Sequence, residues 1–226
     1  MGESFSTVNS ASVEPKCFTG ALSSRELRRR VWHMSPGFLP LILQAVPHAD
    51  PVSPTLHWIF LAVATGLGLR ILWGFRQIQR SNESGGMAAV TGYALSVIMM
   101  LLLFPQHLEL SFALLAILAF GDGSATLFGL LVQEPKLPWN RAKTWSGLLA
   151  FISVGCLTAA WIYRGESWNL ERVDTPVSFT TALMLVAPAV VVAGFCESIE
   201  SRINDNIRVG IVGGVMLMIT HLYRPM

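Results

Sequence analysis

Seven apolar runs dominate this chain. They cover residues 31–47, 54–74, 87–104, 108–132, 146–163, 178–199 and 207–223, and the stretches between them are polar or proline-bearing, as at 48–54 and 81–86. A helix needs about 20 apolar residues to cross the hydrocarbon core of a bilayer, and most of these runs approach that length. Composition argues against a water-soluble alternative. Only 13% of residues are charged and 52% are hydrophobic, whereas a soluble domain carries about 25% charge to cover its surface. The expected fold class is all-α: a polytopic membrane helix bundle with about seven transmembrane helices. The first run is short and holds Pro36 and Pro40.

Basic residues gather in the cytoplasmic loops of membrane proteins, so they can orient the bundle. If all seven runs cross, Lys16, Arg25, Arg28, Arg29, Arg30, Arg70, Arg76, Arg80, Lys136, Arg141, Lys143, Arg202 and Arg208 share one side, and Arg164, Arg172 and Arg224 share the other, 13 against 3. If the first run does not cross, the five N-terminal cations change sides and the tally becomes 8 against 8. The asymmetry favours seven crossings with the N-terminus cytoplasmic. Residues 1–24 are polar and Ser-rich, without the apolar core of a signal peptide, and read as a tail. Residues 25–226 read as a single membrane-embedded domain with no internal repeat. A formal net charge of +2 gives no reason to expect a nucleic-acid partner, and Cys17, Cys156 and Cys196 form neither a disulfide framework nor a zinc spacing.

Four polar clusters interrupt this apolar chain, and all four meet the cytoplasmic face in the seven-crossing topology. Asp122 stands inside the fourth run, where an ionised acid costs about 2.5–3.5 kcal/mol at a helix centre. Either it is buried in mid-membrane, or the helix breaks at the flanking glycines and lines a polar cavity. Gly121, Ala125 and Gly129 also make a small-residue stripe, so helix packing with Asp122 as a cap is the plainer alternative. In the loop that follows, Arg141 and Lys143 precede a helix start that Thr144 and Ser146 can cap, an arrangement that suits phosphate; ordinary loop charge would look the same. Glu197, Glu200 and Ser201 are expected to share a helix face, with Asp205 between two asparagines. These are hard oxygen ligands of the kind Mg²⁺ takes, or else a solvated loop. His33 ends the basic turn Arg28-Arg29-Arg30-Val-Trp-His33, and a lone His there is more often structural than catalytic. His48, His57, His107 and His221 fall at the opposite, interfacial face. Neither a P-loop nor a protein-kinase catalytic signature is present.

The segments Gly121-Asp-Gly-Ser-Ala-Thr-Leu-Phe-Gly129, Lys136-Leu-Pro-Trp-Asn-Arg-Ala-Lys-Thr-Trp-Ser-Gly147 and Glu197-Ser198 with Asn204-Asp205-Asn206, together with the turn ending in His33, resemble the phytol/farnesol/dolichol kinase family. The resemblance covers roughly residues 25–223. It implies a membrane enzyme that phosphorylates a prenyl alcohol such as phytol, farnesol or a longer polyprenol, with CTP (or ATP) as donor and Mg²⁺ as metal. On that reading Asp122 and Asp205 hold the metal, and Arg141 and Lys143 hold phosphates. Gly121, Gly123, Ser124 and Asn206 complete the nucleotide site, while Glu197, Lys143 and His33 join Asp122 in the catalytic set. The family often has two adjacent acids before the final Asn; here Asn204 stands at the first of them. A diacylglycerol kinase or a phosphatidate cytidylyltransferase-like enzyme is the nearest alternative. A transporter, from another class, would also explain an intramembrane acid.

Overall fold

The computed structural model describes residues 24–45, 48–50, 52–78, 86–169, 171–172 and 175–224. The polar tail therefore lies outside the described residues, apart from Ser24. The helical-bundle expectation holds. The helices are α1 (Ser24–Met34), α2 (Leu39–Leu43), α3 (Pro54–Ile78), α4 (Gly86–Leu103), α5 (Leu108–Ala116), α6 (Asp122–Leu131), α7 (Trp145–Ser167), α8 (Phe179–Ser198) and α9 (Asp205–Leu222). A two-residue parallel pairing, Ala49 with Glu171 and Asp50 with Arg172, ties two loops together. Four helical stretches are long and apolar enough to cross a membrane: Pro54–Gly74, Leu108–Leu131, Trp145–Ser167 and Phe179–Ser198. Met87–Leu103 is a shorter apolar helix.

The first apolar run is not one continuous helix. It is divided among α1, a 3-10 turn at Ser35–Phe38, and α2. Pro36 and Pro40 account for the division, since each stands in the first turn of its segment. Proline has no N–H to donate and clashes with the preceding turn, so it starts helices and does not continue them.

The fourth run lies at the centre of the bundle. Residues 108–121 are all buried, and α7, α9 and α4 pack around them. The run does not break at its glycines. It passes from α5 to α6 through a π-helical turn, Ile117–Gly121. Small residues then let α7 lie close against α6, as the Gly121, Ala125 and Gly129 stripe suggested. A Cβ added at Gly147 would sit 2.8 Å from the backbone oxygen of Ala125. A backbone atom cannot rotate out of the way as a side chain can. Gly147→Ala is therefore expected to cost about 1–3 kcal/mol through overpacking, read as a lowered melting temperature in detergent. The same change at Gly66, which has open space around it, should leave the melting temperature unchanged or higher, because alanine is the better helix former.

Buried acids at the end of the bundle away from Asp122 are paired. Glu109 is 3% exposed and has His107 Nδ1 at 3.3 Å, Arg224 Nη1 at 3.6 Å and His221 Nδ1 at 3.8 Å. Tyr163 Oη lies 2.8 Å from His221 Nδ1. His48 Nε2 meets Glu166 Oε1 at 2.8 Å, with both residues buried. Three of the four histidines expected to be merely interfacial thus lie against buried carboxylates. Among the described residues His57 has no such carboxylate, and its ring packs against Trp58.

Candidate active site

The site is assembled at the end where α6, α7 and α9 begin and α8 finishes. Its first component follows from the π turn. The Asp122 N–H donates to the carbonyls of Ile117 and Ala119 and bypasses Leu118, the partner it would have in a regular α-helix. The released Leu118 carbonyl lies 3.1 Å from His33 Nε2, which is also 3.1 Å from Asp122 Oδ2. Both neighbours of this nitrogen are acceptors, so it carries the proton and donates to both. His33 thereby fixes the orientation of the Asp122 carboxylate. Close approach of α1 makes this contact possible. A Cβ on Gly123 would meet Met34 Cγ at 2.5 Å, and one on Gly37 would meet Ala119 Cβ at 2.6 Å.

The second component is Lys143. Its loop is folded by local bonds: the Leu137 N–H donates to the Lys143 carbonyl and the Lys143 N–H to the Asn140 carbonyl, both at 3.0 Å. The loop is anchored to the end of α8, where Asn140 Nδ2 donates to the Ser198 carbonyl (3.0 Å) and Trp139 Nε1 to Ser198 Oγ (3.1 Å). Lys143 Nζ then bonds to Glu197 Oε1, and to Asp205 Oδ2 at 3.0 Å. Burial opposes the charge on the Lys143 ammonium, but the Glu197 and Asp205 carboxylates outweigh burial and hold its pKa above the ordinary lysine range.

The third component is the turn from α8 to α9. Helix α8 ends at Ser198 and Ile199 is extended, so Glu197, Glu200 and Ser201 do not share a helix face, contrary to the sequence expectation. Arg208 contributes to that ending: its guanidinium donates to the Cys196 and Ile199 carbonyls and to Asp205 Oδ1. Cations are favourable at helix C-termini, where carbonyls lack partners. Asn204, the position where the family often carries an acid, caps α9 by accepting the Asn206 N–H at 3.0 Å. Asn206 is buried and its side chain donates to the Ala89 carbonyl at 2.9 Å.

These components surround the mouth of a cavity of about 450 Å³. Arg29, Arg30, His33, Asp122, Lys143 and Asp205 give it one polar end. Apolar residues of α3, α4 and α5 form the rest of its walls. Glu197 stands behind Lys143 and does not border the cavity, and Arg141 is exposed on the outer side of the loop. Gly121, Gly123 and Ser124 are packing contacts: Gly121 lies against Phe151, Gly123 against Met34, and the Ser124 hydroxyl donates to the Gly121 and Ala150 carbonyls (2.9 and 3.1 Å). Tyr93 was not evident in the sequence because it sits in an uncharged, largely apolar run. Its ring meets His33 edge-on at 5.3 Å, and its buried hydroxyl has no partner among the described residues.

A helical-bundle membrane protein with acids and a lysine gathered over an apolar cavity is what the fold and site define. Among curated proteins, the chain is 24% identical over 204 residues to probable phytol kinase 2, chloroplastic, of Oryza sativa subsp. japonica, covering 82% of this chain and 63% of that protein. It is 23% identical over 219 residues to probable phytol kinase 3, chloroplastic, of Glycine max, covering 87% and 65%. It is 31% identical over 120 residues to probable phytol kinase, chloroplastic, of Triticum aestivum, covering 52% and 39%. The chain thus spans slightly less than two thirds of the length of the first two relatives. No protein-family model and no solved structure matches it. The chain is thus similar to plant phytol kinases over most of its own length.

Proposed function

We propose that this protein is a membrane-embedded kinase that transfers a phosphoryl group from a nucleoside triphosphate, CTP by the family resemblance, to a prenyl alcohol. The observation that carries this reading is the polarity of the cavity: charged groups suited to phosphate and metal at its mouth, and apolar walls beyond. An alcohol with a long hydrocarbon tail has the same two-part character. The excess of cations near the mouth in the seven-crossing topology supports a cytoplasmic mouth, the side where nucleotides are found.

Asp122 and Asp205 offer carboxylate oxygens, the hard donors that suit Mg²⁺, and both border the cavity. They are the residues that would hold the metal, which when bound neutralises charge on the phosphates. In the proposed reaction the alcohol oxygen bonds to the terminal phosphorus as that atom's bond to the bridging oxygen breaks. A nucleoside diphosphate and a prenyl monophosphate result, and the hydroxyl proton is released to water at the cavity mouth. Lys143 turns from its carboxylates toward the transferring group. His33 keeps Asp122 aimed. Such catalysis is mostly positioning and electrostatics.

The reading predicts that purified protein given Mg²⁺, CTP or ATP labelled in the terminal phosphate, and farnesol, geranylgeraniol, phytol, dolichol or diacylglycerol will form a labelled prenyl monophosphate. Label in no lipid across the panel overturns it. Label in diacylglycerol alone would make the protein a diacylglycerol kinase.

A further inference from the structure

At the end of the bundle away from Asp122, three side chains of metal-binding type converge. His107 stands just before α5, Glu109 lies in the first turn of α5, and His221 lies in the last turn of α9. One ligand atom from each falls within 4.8 Å of the other two. Both imidazoles present Nδ1 to the same carboxylate oxygen: Glu109 Oε1 is 3.3 Å from His107 Nδ1 and 3.8 Å from His221 Nδ1. Zinc bonds to nitrogen and oxygen are about 2.0–2.2 Å long, and a tetrahedron of such bonds puts neighbouring ligands about 3.3–3.6 Å apart. The carboxylate separations are thus close to those a zinc ion needs. The two histidine rings have centroids 4.6 Å apart. The His107 side chain is 37% exposed, so its ring can turn to close the third edge and an ion can enter past it. Tyr163 Oη, 2.8 Å from His221 Nδ1, is a fourth polar atom at the same point.

We infer that His107, Glu109 and His221 form a second metal site, for a divalent ion of the zinc class, that clips the start of α5 to the end of α9. Two imidazoles and one carboxylate are a mixed nitrogen and oxygen set that suits zinc, whereas Mg²⁺ takes oxygen ligands. The two ends of the bundle therefore differ in the metal they select. Helix α5 leads through the π turn to Asp122, so the clip holds the central run at its far end. Arg224 Nη1 lies 3.6 Å from Glu109 Oε1 and opposes a cation there. Its guanidinium also donates to the Thr175 carbonyl, a partner it keeps when a metal takes the carboxylate oxygen. That opposition makes the bound ion exchangeable, so a chelator removes it. The site is independent of the kinase reading, since its residues lie outside the cavity lining.

The test uses the full chain without an affinity tag, purified in detergent, stripped with EDTA and returned to buffer containing Mg²⁺. Titration with Zn²⁺ should show one ion bound per chain and a raised melting temperature, because a ligand held by the folded state alone stabilises it. His107→Ala and Glu109→Gln should each weaken Zn²⁺ binding by at least about a hundredfold, the upper end of what losing a residue that merely supports a ligand costs. Asp122→Asn should bind Zn²⁺ as wild type does. The His107 variant leaves Glu109 with His221 and Arg224, so it decides the matter even if the Glu109 variant does not fold. Zinc lost in His107→Ala and kept in Asp122→Asn supports the site. No bound zinc in wild type, or zinc that persists in folded His107→Ala, overturns it. Phosphoryl transfer enters neither outcome, so a failure of the kinase reading would leave this test intact.

Discussion

Asp122→Asn is expected to lower phosphoryl transfer by about a thousandfold or more while leaving thermal stability nearly unchanged. Asparagine matches aspartate in shape, and its side-chain oxygen can still accept from His33 Nε2. The contact that docks α1 on the π turn also keeps its second acceptor, the Leu118 carbonyl. What disappears is the negative charge that would hold the metal. A transfer assay with a parallel melting curve separates the outcomes. Retained turnover removes Asp122 from the mechanism, and a large fall in melting temperature would give it a structural role instead.

Lys143→Met should lose both activity and stability, and the two losses can be separated. Methionine keeps much of the lysine stem but not the ammonium, leaving Glu197, which is 4% exposed, as a buried acid without its cation. Removing one partner of a buried pair costs about 3–5 kcal/mol. The side chain of Lys143 is 30% exposed, so solvent screening brings the expected loss to about 2–3 kcal/mol. Asp205 is 41% exposed and still holds Arg208, so it adds little. The double variant Lys143→Met/Glu197→Gln removes the orphaned charge. It should regain most of the melting temperature without regaining transfer. A double variant as active as wild type would reduce Lys143 to a counter-ion for Glu197.

The long helices were legible because a membrane span needs length and apolarity, and both are local properties of sequence. The divided first run was partly legible, since Pro36 and Pro40 are visible, but their effect on the segment was not. The π turn before Asp122 was hidden. The helix does not break at the flanking glycines, as one of the two alternatives had it, yet Asp122 still borders a cavity with a polar end. The pairings of Lys143 with Glu197 and of Glu109 with His221 were also hidden, because no local spacing signals a contact between helices far apart in sequence. The cavity wall on α3 was invisible for a different reason. An amphipathic helix shows a contrast between its faces, but α3 has lipid on one side and an apolar cavity on the other, so there is no contrast to read. Asn204 is recognisable as a helix cap from the sequence, since asparagine directly before a helical run is a preferred N-cap.

The same face of α3 has one more consequence. Among the described elements α3 packs extensively against α4 alone, so the seam between it and α1–α2 borders both the cavity and the surrounding lipid. On the kinase reading, a water-insoluble alcohol already dissolved in the bilayer slides in sideways through that seam, tail and head together, without crossing an aqueous phase. The quantity that then governs occupancy is the mole fraction of alcohol among neighbouring lipids. Its molarity in the surrounding buffer matters only through the share that partitions into the bilayer, which on the kinase reading is the reservoir from which the protein is supplied.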